Sequence, residues 1–460
     1  MQGKGSIRLP AERTSDHAPT MIPAPALNPL AQVANQALAA DCPVVFDLLS
    51  ERGKRFFFPA KGILAQGAEA KTKATIANAT IGIATSGGVP MHLGAVHQHF
   101  AGLDPREIYD YAPSYGKPEL RQAWAKKQRE ETPGLGNHPI STPVVTNALT
   151  HGLSVVGDLF LNPGDDVLIH DLHWENYDLG WGTRLEAKLH TVPLFDRNLT
   201  GIAMQAFIEA LGRFKGKKLL VALNFPNNPS GYTPTKAEAG AIVNALIAAA
   251  EAGTKLVVTV DDAYYGMFFD EACEKESLFG RLAHAHNNIL AVKIDGATKE
   301  EFVWGLRVGF LTYGVKNGTP AAYKALEDKT AGFIRSTISN VTQPGQSIVL
   351  KALQNPQFRA QQAEKVAILK ARAAVTAVEV RKPEYADAWD IYPFNSGYFM
   401  CVRVKGTTAE AARQKLLERG VGAIALGETE LRIAFSCVEE AQLPAVFAHA
   451  AAAVRAARGG

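Results

Sequence analysis

Four short apolar runs, each closed by polar, Gly or Pro residues, constrain this chain more than any other feature. They are "DDVLIH" (165–170), "KKLLVALNF" (217–225), "KLVVTV" (255–260) and "NILAVKI" (288–294). The apolar residues are near-continuous rather than alternating, which suits strands buried on both faces. Between two of them lies "PTKAEAGAIVNALIAAAEAG" (234–253), which is Ala-rich, opens with Pro and closes with Gly. Those are the end signals of a helix. This alternation predicts an α/β unit with a mostly parallel central sheet flanked by helices. Sites in such sheets lie at the carboxyl ends of the strands.

After about residue 315 the rhythm changes: long helical stretches (344–354, 356–380) precede the short strands "GYFMCVRV" (397–404) and "LRIAFS" (431–436), and an Ala-rich helix ends the chain. We expect a smaller α/β domain here, built from both chain ends. The expected division is an N-terminal arm over 1–28, the first part of the small domain over 29–90, a large domain over 91–355 and the rest of the small domain over 356–460. The arm is rich in Pro and polar residues ("APTMIPAPALNP") and reads as disordered.

Composition removes several classes. The chain has 460 residues, 47% hydrophobic and 20% charged, with a net charge of +3. That is ordinary for a globular protein, and without a basic stripe it does not point to nucleic acid. No run of about 18 unbroken apolar residues predicts a membrane span. "MQGKGSIRLPAERTSD" lacks the apolar core of a signal peptide. Cys42, Cys273, Cys401 and Cys437 are scattered without CxxC spacing, which argues against a zinc site and a disulfide framework and fits a cytoplasmic protein.

The chemistry gathers at the strand ends. "NFPNNPSG" (224–231) holds more Asn, Pro and Gly than a turn requires. Asn228 follows "KKLLVALNF", Asp261 opens "DDAYYG" after "KLVVTV", and Lys299 follows "NILAVKIDGAT". In a parallel sheet these ends converge on one crevice. A buried carboxylate beside a desolvated lysine reads either as an ion pair or as an imine-forming lysine with a lowered pKa. A carboxylate can also hold a pyridinium nitrogen protonated. Three such groups in order favour the second reading.

The motifs together resemble the class I/II aminotransferases, fold-type I pyridoxal-phosphate enzymes, over roughly 110–440. "NNPSG" is similar to the family's Asn-Pro-Thr/Ser-Gly motif, which implies that Asn228 bonds the cofactor's phenolic oxygen. "DDAYYG" resembles Asp-x-Ala-Tyr, with Asp261 on the pyridine nitrogen and Tyr264 on the phenolic oxygen. "TKEEFVWGLRVG" resembles the Schiff-base segment, with Lys299 as the imine lysine and Arg307 on the phosphate. In "VTNALTHGLSVVGDLF" the resemblance puts Asn147, Ala148 and Leu149 around the phosphate, where helix N-termini favour anions. Trp174 in "HDLHWENY" is the ring stacked on the cofactor, the alternative being a core tryptophan. Tyr111 in "YDYAPSYGKPELR" implies a phosphate contact in the neighbouring subunit, hence a homodimer with shared sites; otherwise it is an exposed loop residue.

Two positions depart from the family. Ala148 stands where it usually has glycine, and Gly296 where it commonly has a phosphate-binding serine. Either Thr298 or a backbone amide takes over that contact, or phosphate binding is weaker. At the substrate end, Arg432 in "LRIAFS" resembles the arginine that grips the α-carboxylate, a job that suits a planar guanidinium. Arg335 in "GFIRSTISN" resembles the arginine that reaches a distal carboxylate across a dimer, the alternative being a structural contact. Gly82, Gly87, Asn395 and Gly397 are expected near the mouth, and His92, His97, His99, His151, His170 and His173 are read as packing or surface residues.

The resemblance implies an enzyme that moves an amino group from an L-amino acid, dicarboxylic or aromatic, to a 2-oxo acid with ping-pong kinetics. The same cofactor scaffold also serves lyases, decarboxylases and synthases. A non-enzymatic alternative is the cofactor-sensing domain of a regulator. Such a protein needs a basic DNA-binding head, which residues 1–90 do not resemble.

Overall fold

The computed structural model describes residues 27–59 and 62–459; the expected N-terminal arm, apart from Leu27 and Asn28, lies outside the described residues. The large sheet has seven strands: β1 (Val144–Thr146), β2 (Asp166–His170), β3 (Lys188–Val192), β4 (Lys218–Asn224), β5 (Lys255–Asp261), β6 (Ile289–Gly296) and β7 (Gly309–Val315). Their spatial order is β1-β7-β6-β5-β4-β2-β3. The pairs are parallel except for those of β7, which runs antiparallel to both neighbours. The expected parallel sheet is therefore present with one reversed strand inserted near its edge.

The continuous apolar runs behave as their composition demands. In β4 and β5 every residue after the first is buried. Side chains along a strand alternate between faces, and here the alternation feeds two cores. Leu220 and Ala222 of β4 join one; Leu219, Val221 and Leu223 join the other. Helix α1 (Ala148–Phe160) contributes Leu149, Leu153 and Val156 to the first core. Helix α2 (Lys236–Glu251) contributes Ile242, Val243 and Leu246 to the second. The start of α2 is set by Thr235 rather than by Pro234. Its hydroxyl accepts from Glu238 N–H while the Glu238 carboxylate accepts from Thr235 N–H, a reciprocal cap.

The second sheet is antiparallel, with strands β8 (Trp389–Ile391), β9 (Phe399–Val404), β10 (Ile424–Leu426) and β11 (Glu430–Ala434) in the order β8-β9-β11-β10. Helices α3 (Phe358–Glu379) and α4 (Leu443–Ala457) pack with it. Its core also takes in Ala77 and Ala79, and Ala77–Asn78 pairs in parallel with Val421–Gly422. Residues from before 90 and after 380 thus share one core. No helix among the described residues is long and apolar enough to cross a membrane.

Candidate active site

Register brings the strand ends together. Asn224 of β4 stands opposite Asp261 of β5, and Asp261 opposite Ile294 of β6. Neighbouring strands lie about 4.8 Å apart, so these ends share one level. β6 runs on into the short helix Ala297–Glu300, which carries Lys299, and α1 starts just beyond the end of β1. A cavity of about 360 Å³ opens there. Leu149, Trp174, Asn228, Asp261, Tyr264, Thr298, Lys299, Arg307 and Arg432 all line it.

The asparagine cluster divides its labour. Asn224 donates to Asp261 O (3.0 Å) and accepts from Asn228 N–H (2.9 Å), tying β4 to β5 and fixing the next turn. Asn227 donates to Leu172 O and accepts from both the N–H and the hydroxyl of Ser230. These two amides are structural. They leave Asn228 as the one whose side-chain oxygen faces the cavity arginine, accepting from Arg432 at 3.0 Å. Gly231 closes the turn at φ +72, and a Cβ there would lie 1.9 Å from Phe399 O, so only glycine permits this approach of the two sheets.

Burial sets the electrostatics. The Asp261 carboxyl is pushed up to about 6 by desolvation, against the pull of a 2.5 Å hydrogen bond from Tyr177 and of the Lys299 charge. The Lys299 amine is lowered to about 8 by burial; the Asp261 charge opposes the shift and the Arg307 charge adds to it. The Lys299 ammonium sits 4.8 Å over the ring of Tyr264, whose hydroxyl burial holds well above its usual range. Arg432 is buried, donates to Thr80 O at 3.0 Å and stacks 4.2 Å over Phe399. The site therefore holds an amine and a carboxylate that titrate toward each other. Such an arrangement equips a group for proton transfer.

One of the two departures has a physical cause, and the other carries a cost. A Cβ at Gly296 would meet Gly309 Cα and Val308 O at 2.9 Å and Leu149 Cδ1 at 3.1 Å, so a serine does not fit. Thr298 lies close by, buried, lining the cavity, its hydroxyl without a hydrogen-bond partner among the described residues. Ala148 adopts φ +60, the left-handed conformation that a glycine takes freely and that costs another residue about 1–2 kcal/mol. Arg307, at φ +55, is held in the same region. Strained backbone of this kind gathers at functional sites.

Four residues expected to bind cofactor or substrate stand outside the cavity. Asn147 is exposed and its N–H donates to His151 Nδ1 at 3.0 Å; Ala148 is buried beneath it. Tyr111 is 90% exposed, and Arg335 donates to Ser339 Oγ at 2.6 Å. The resemblance assigns these last two to the site of a second copy. Of the glycines, Gly82 lines the cavity, while the Gly87 N–H is held by Glu439. Asn395 stitches backbone, bonding Thr233 in both directions. Tyr177, Trp304, Ile63 and Leu64 went unread in the sequence: Tyr177 holds Asp261, and the other three line the cavity.

Solved structures share this architecture. An aminotransferase from Anaerococcus prevotii matches with a TM-score of 0.78 at 20% identity, covering 88% of this chain and 98% of its own. A mutant of the aspartate aminotransferase of Thermus thermophilus matches with a TM-score of 0.70 at 19% identity, covering 88% and 99%. The fold is that of the fold-type I pyridoxal-phosphate enzymes. The family model described as aminotransferase class I and II matches residues 93–449, and the chain belongs to that family. Among curated relatives, the probable N-succinyldiaminopimelate aminotransferase DapC of Mycobacterium tuberculosis is 27% identical over 216 residues, 46% of this chain and 50% of the relative. The chain thus spans about half the length of the curated relatives it matches.

Proposed function

We propose that this protein is a pyridoxal 5′-phosphate-dependent aminotransferase, moving an amino group from an L-amino acid to a 2-oxo acid in two half-reactions. The observation that carries this reading is the single cavity shared by Lys299, Asp261, Asn228 and Arg432. The residues present fit the cofactor. Thr298 has an unpaired buried hydroxyl and Arg307 a cation for a phosphate, Asp261 a carboxylate for a ring nitrogen, and Asn228 and Tyr264 polar groups for a phenolic oxygen. When bound, the cofactor supplies an electron sink for the pair left by the broken Cα–H bond.

The chain's own residues do the rest. Arg432 takes the substrate's carboxylate, exchanging its bond to Asn228 or Thr80 for a charged acceptor. Lys299, with its amine at about 8, has a neutral fraction near neutral pH and takes the α-proton at Nζ. Asp261, positioned by Tyr177, is ionised above about 6 and holds a proton on the ring nitrogen. One site serving donor and acceptor in turn calls for ping-pong kinetics.

We take 91–355 as the cofactor-holding domain and 29–90 with 356–460 as the domain bearing Arg432. We also take the protein to be a cytosolic homodimer with shared sites; the free cysteines and the assignment of Tyr111 and Arg335 to a second copy support this. The test is an absorbance scan of the holoenzyme with an amino-acid panel and no oxo acid. A band near the visible edge that converts to a shorter-wavelength band supports transamination. A band that no amino acid shifts rules against it.

A further inference from the structure

Glu175 follows Trp174, yet its carboxylate turns toward a different element. Both oxygens accept from Ile63 N–H, at 3.1 and 3.4 Å. Ile63 is the first residue of the helix Ile63–Lys73, which has no side-chain cap of its own and no acidic residue in its first turn. Glu175 supplies both from 112 residues away. A carboxylate at this end satisfies an unpaired N–H and complements the helix dipole. The approach is close: a Cβ on Gly62 would lie 2.8 Å from Glu175 Oε2.

The helix so anchored presents Ile63 and Leu64 to the cavity that holds Lys299 and Arg432. With Ile83, Leu149, Trp304 and Phe399 they belong to its apolar lining. Leu64 is 66% exposed, an apolar side chain held at the mouth where a ligand's side chain would cover it.

We propose that Glu175 is a positioning residue for substrate choice: by pinning Ile63 and Leu64 against the cavity it builds a wall that selects amino acids with large apolar or aromatic side chains over small ones. This rests on the aminotransferase reading. The experiment follows the cofactor band of the holoenzyme while phenylalanine or alanine is titrated without oxo acid, in the wild type, E175A, E175Q and L64A. We expect the wild type to favour phenylalanine over alanine. E175A should lower the phenylalanine-over-alanine ratio of apparent affinities about tenfold, the scale of an altered apolar pocket, with little change in the ratio of maximal rates. E175Q keeps an oxygen for the Ile63 N–H and should keep most of the preference. L64A, at an exposed position that does not challenge folding, should shift the ratio the same way. Equal losses for both donors, a ratio unmoved in E175A and L64A, or a wild type that prefers alanine would each overturn the proposal. Conversion by no donor at all would instead defeat the aminotransferase reading, and this proposal with it.

Discussion

At the scale of single residues, the sharpest expectations concern Lys299, Thr298 and Ala148. An amine attacks a carbonyl only when unprotonated, and Lys299 is lowered to about 8 where an ordinary lysine sits near 10.4. Attachment of pyridoxal phosphate to the cofactor-free protein should therefore speed up with rising pH and level off just above 8, as stopped-flow absorbance would show. A plateau reached only above 10 would mean that Lys299 is not desolvated as described. T298A should weaken cofactor binding about 10–100-fold, the loss of a hydrogen bond to a charged group, read as a dissociation constant by equilibrium dialysis. An unchanged constant would leave the phosphate to backbone amides. A148G should raise the unfolding free energy by about 0.5–1 kcal/mol, read from urea denaturation, since relief of the φ +60 strain exceeds the added chain entropy.

At the scale of elements, the helix carrying Lys299 is buttressed from behind. Lys127, buried on the helix Pro118–Glu131, pairs with Glu131 at 2.8 Å, contacts Glu300 and lies 3.5 Å from Glu301; Arg359 adds a cation on Glu131 at 2.8 Å. Removing Lys127 leaves Glu300 and Glu301 without their cation in a dry setting, while Glu131 keeps Arg359. K127M should cost about 3–5 kcal/mol by urea denaturation. The loss should shrink as pH falls, because burial already holds the Glu300 and Glu301 carboxyls above their usual range and protonation removes the uncompensated charge. A pH-independent loss would point to lost packing instead. Elements also show what a sequence makes legible. β4, β5 and β6 were readable because burial on both faces demands unbroken apolar runs. β3 was not, since "KLHTV" is mostly uncovered and its pattern is weak. β7 begins at a glycine and reverses direction, a matter of pairing that leaves no local trace. Asn228, Asp261 and Lys299 were legible because each stands at or just after a strand end. Tyr177 was not, because its partner Asp261 lies 84 positions on, and nothing near Ile63 or Leu64 announces Glu175.

At the scale of the whole molecule, the two surface residues assigned to a neighbouring site make a dimer testable by mixing. Neither K299A nor Y111A chains alone should transaminate well. Hybrid dimers should recover activity, because the K299A chain lends an intact Tyr111 to the other chain's intact lysine. No recovery after verified subunit exchange would mean that Tyr111 serves its own chain or none. A last consequence follows from the way both chain ends meet in the second sheet. Ala77 and Asn78 pair with Val421 and Gly422, Ala79 O accepts from Ala434 N–H, and Thr80 O accepts from Arg432. During synthesis on the ribosome, that early segment waits for partners made more than 300 residues later, a delay of tens of seconds at about 5–20 residues per second. The strands that present Asn228, Asp261 and Lys299 are complete well before then. A nascent chain can thus assemble its cofactor cradle first and acquire its grip on an amino acid only as its last strand emerges.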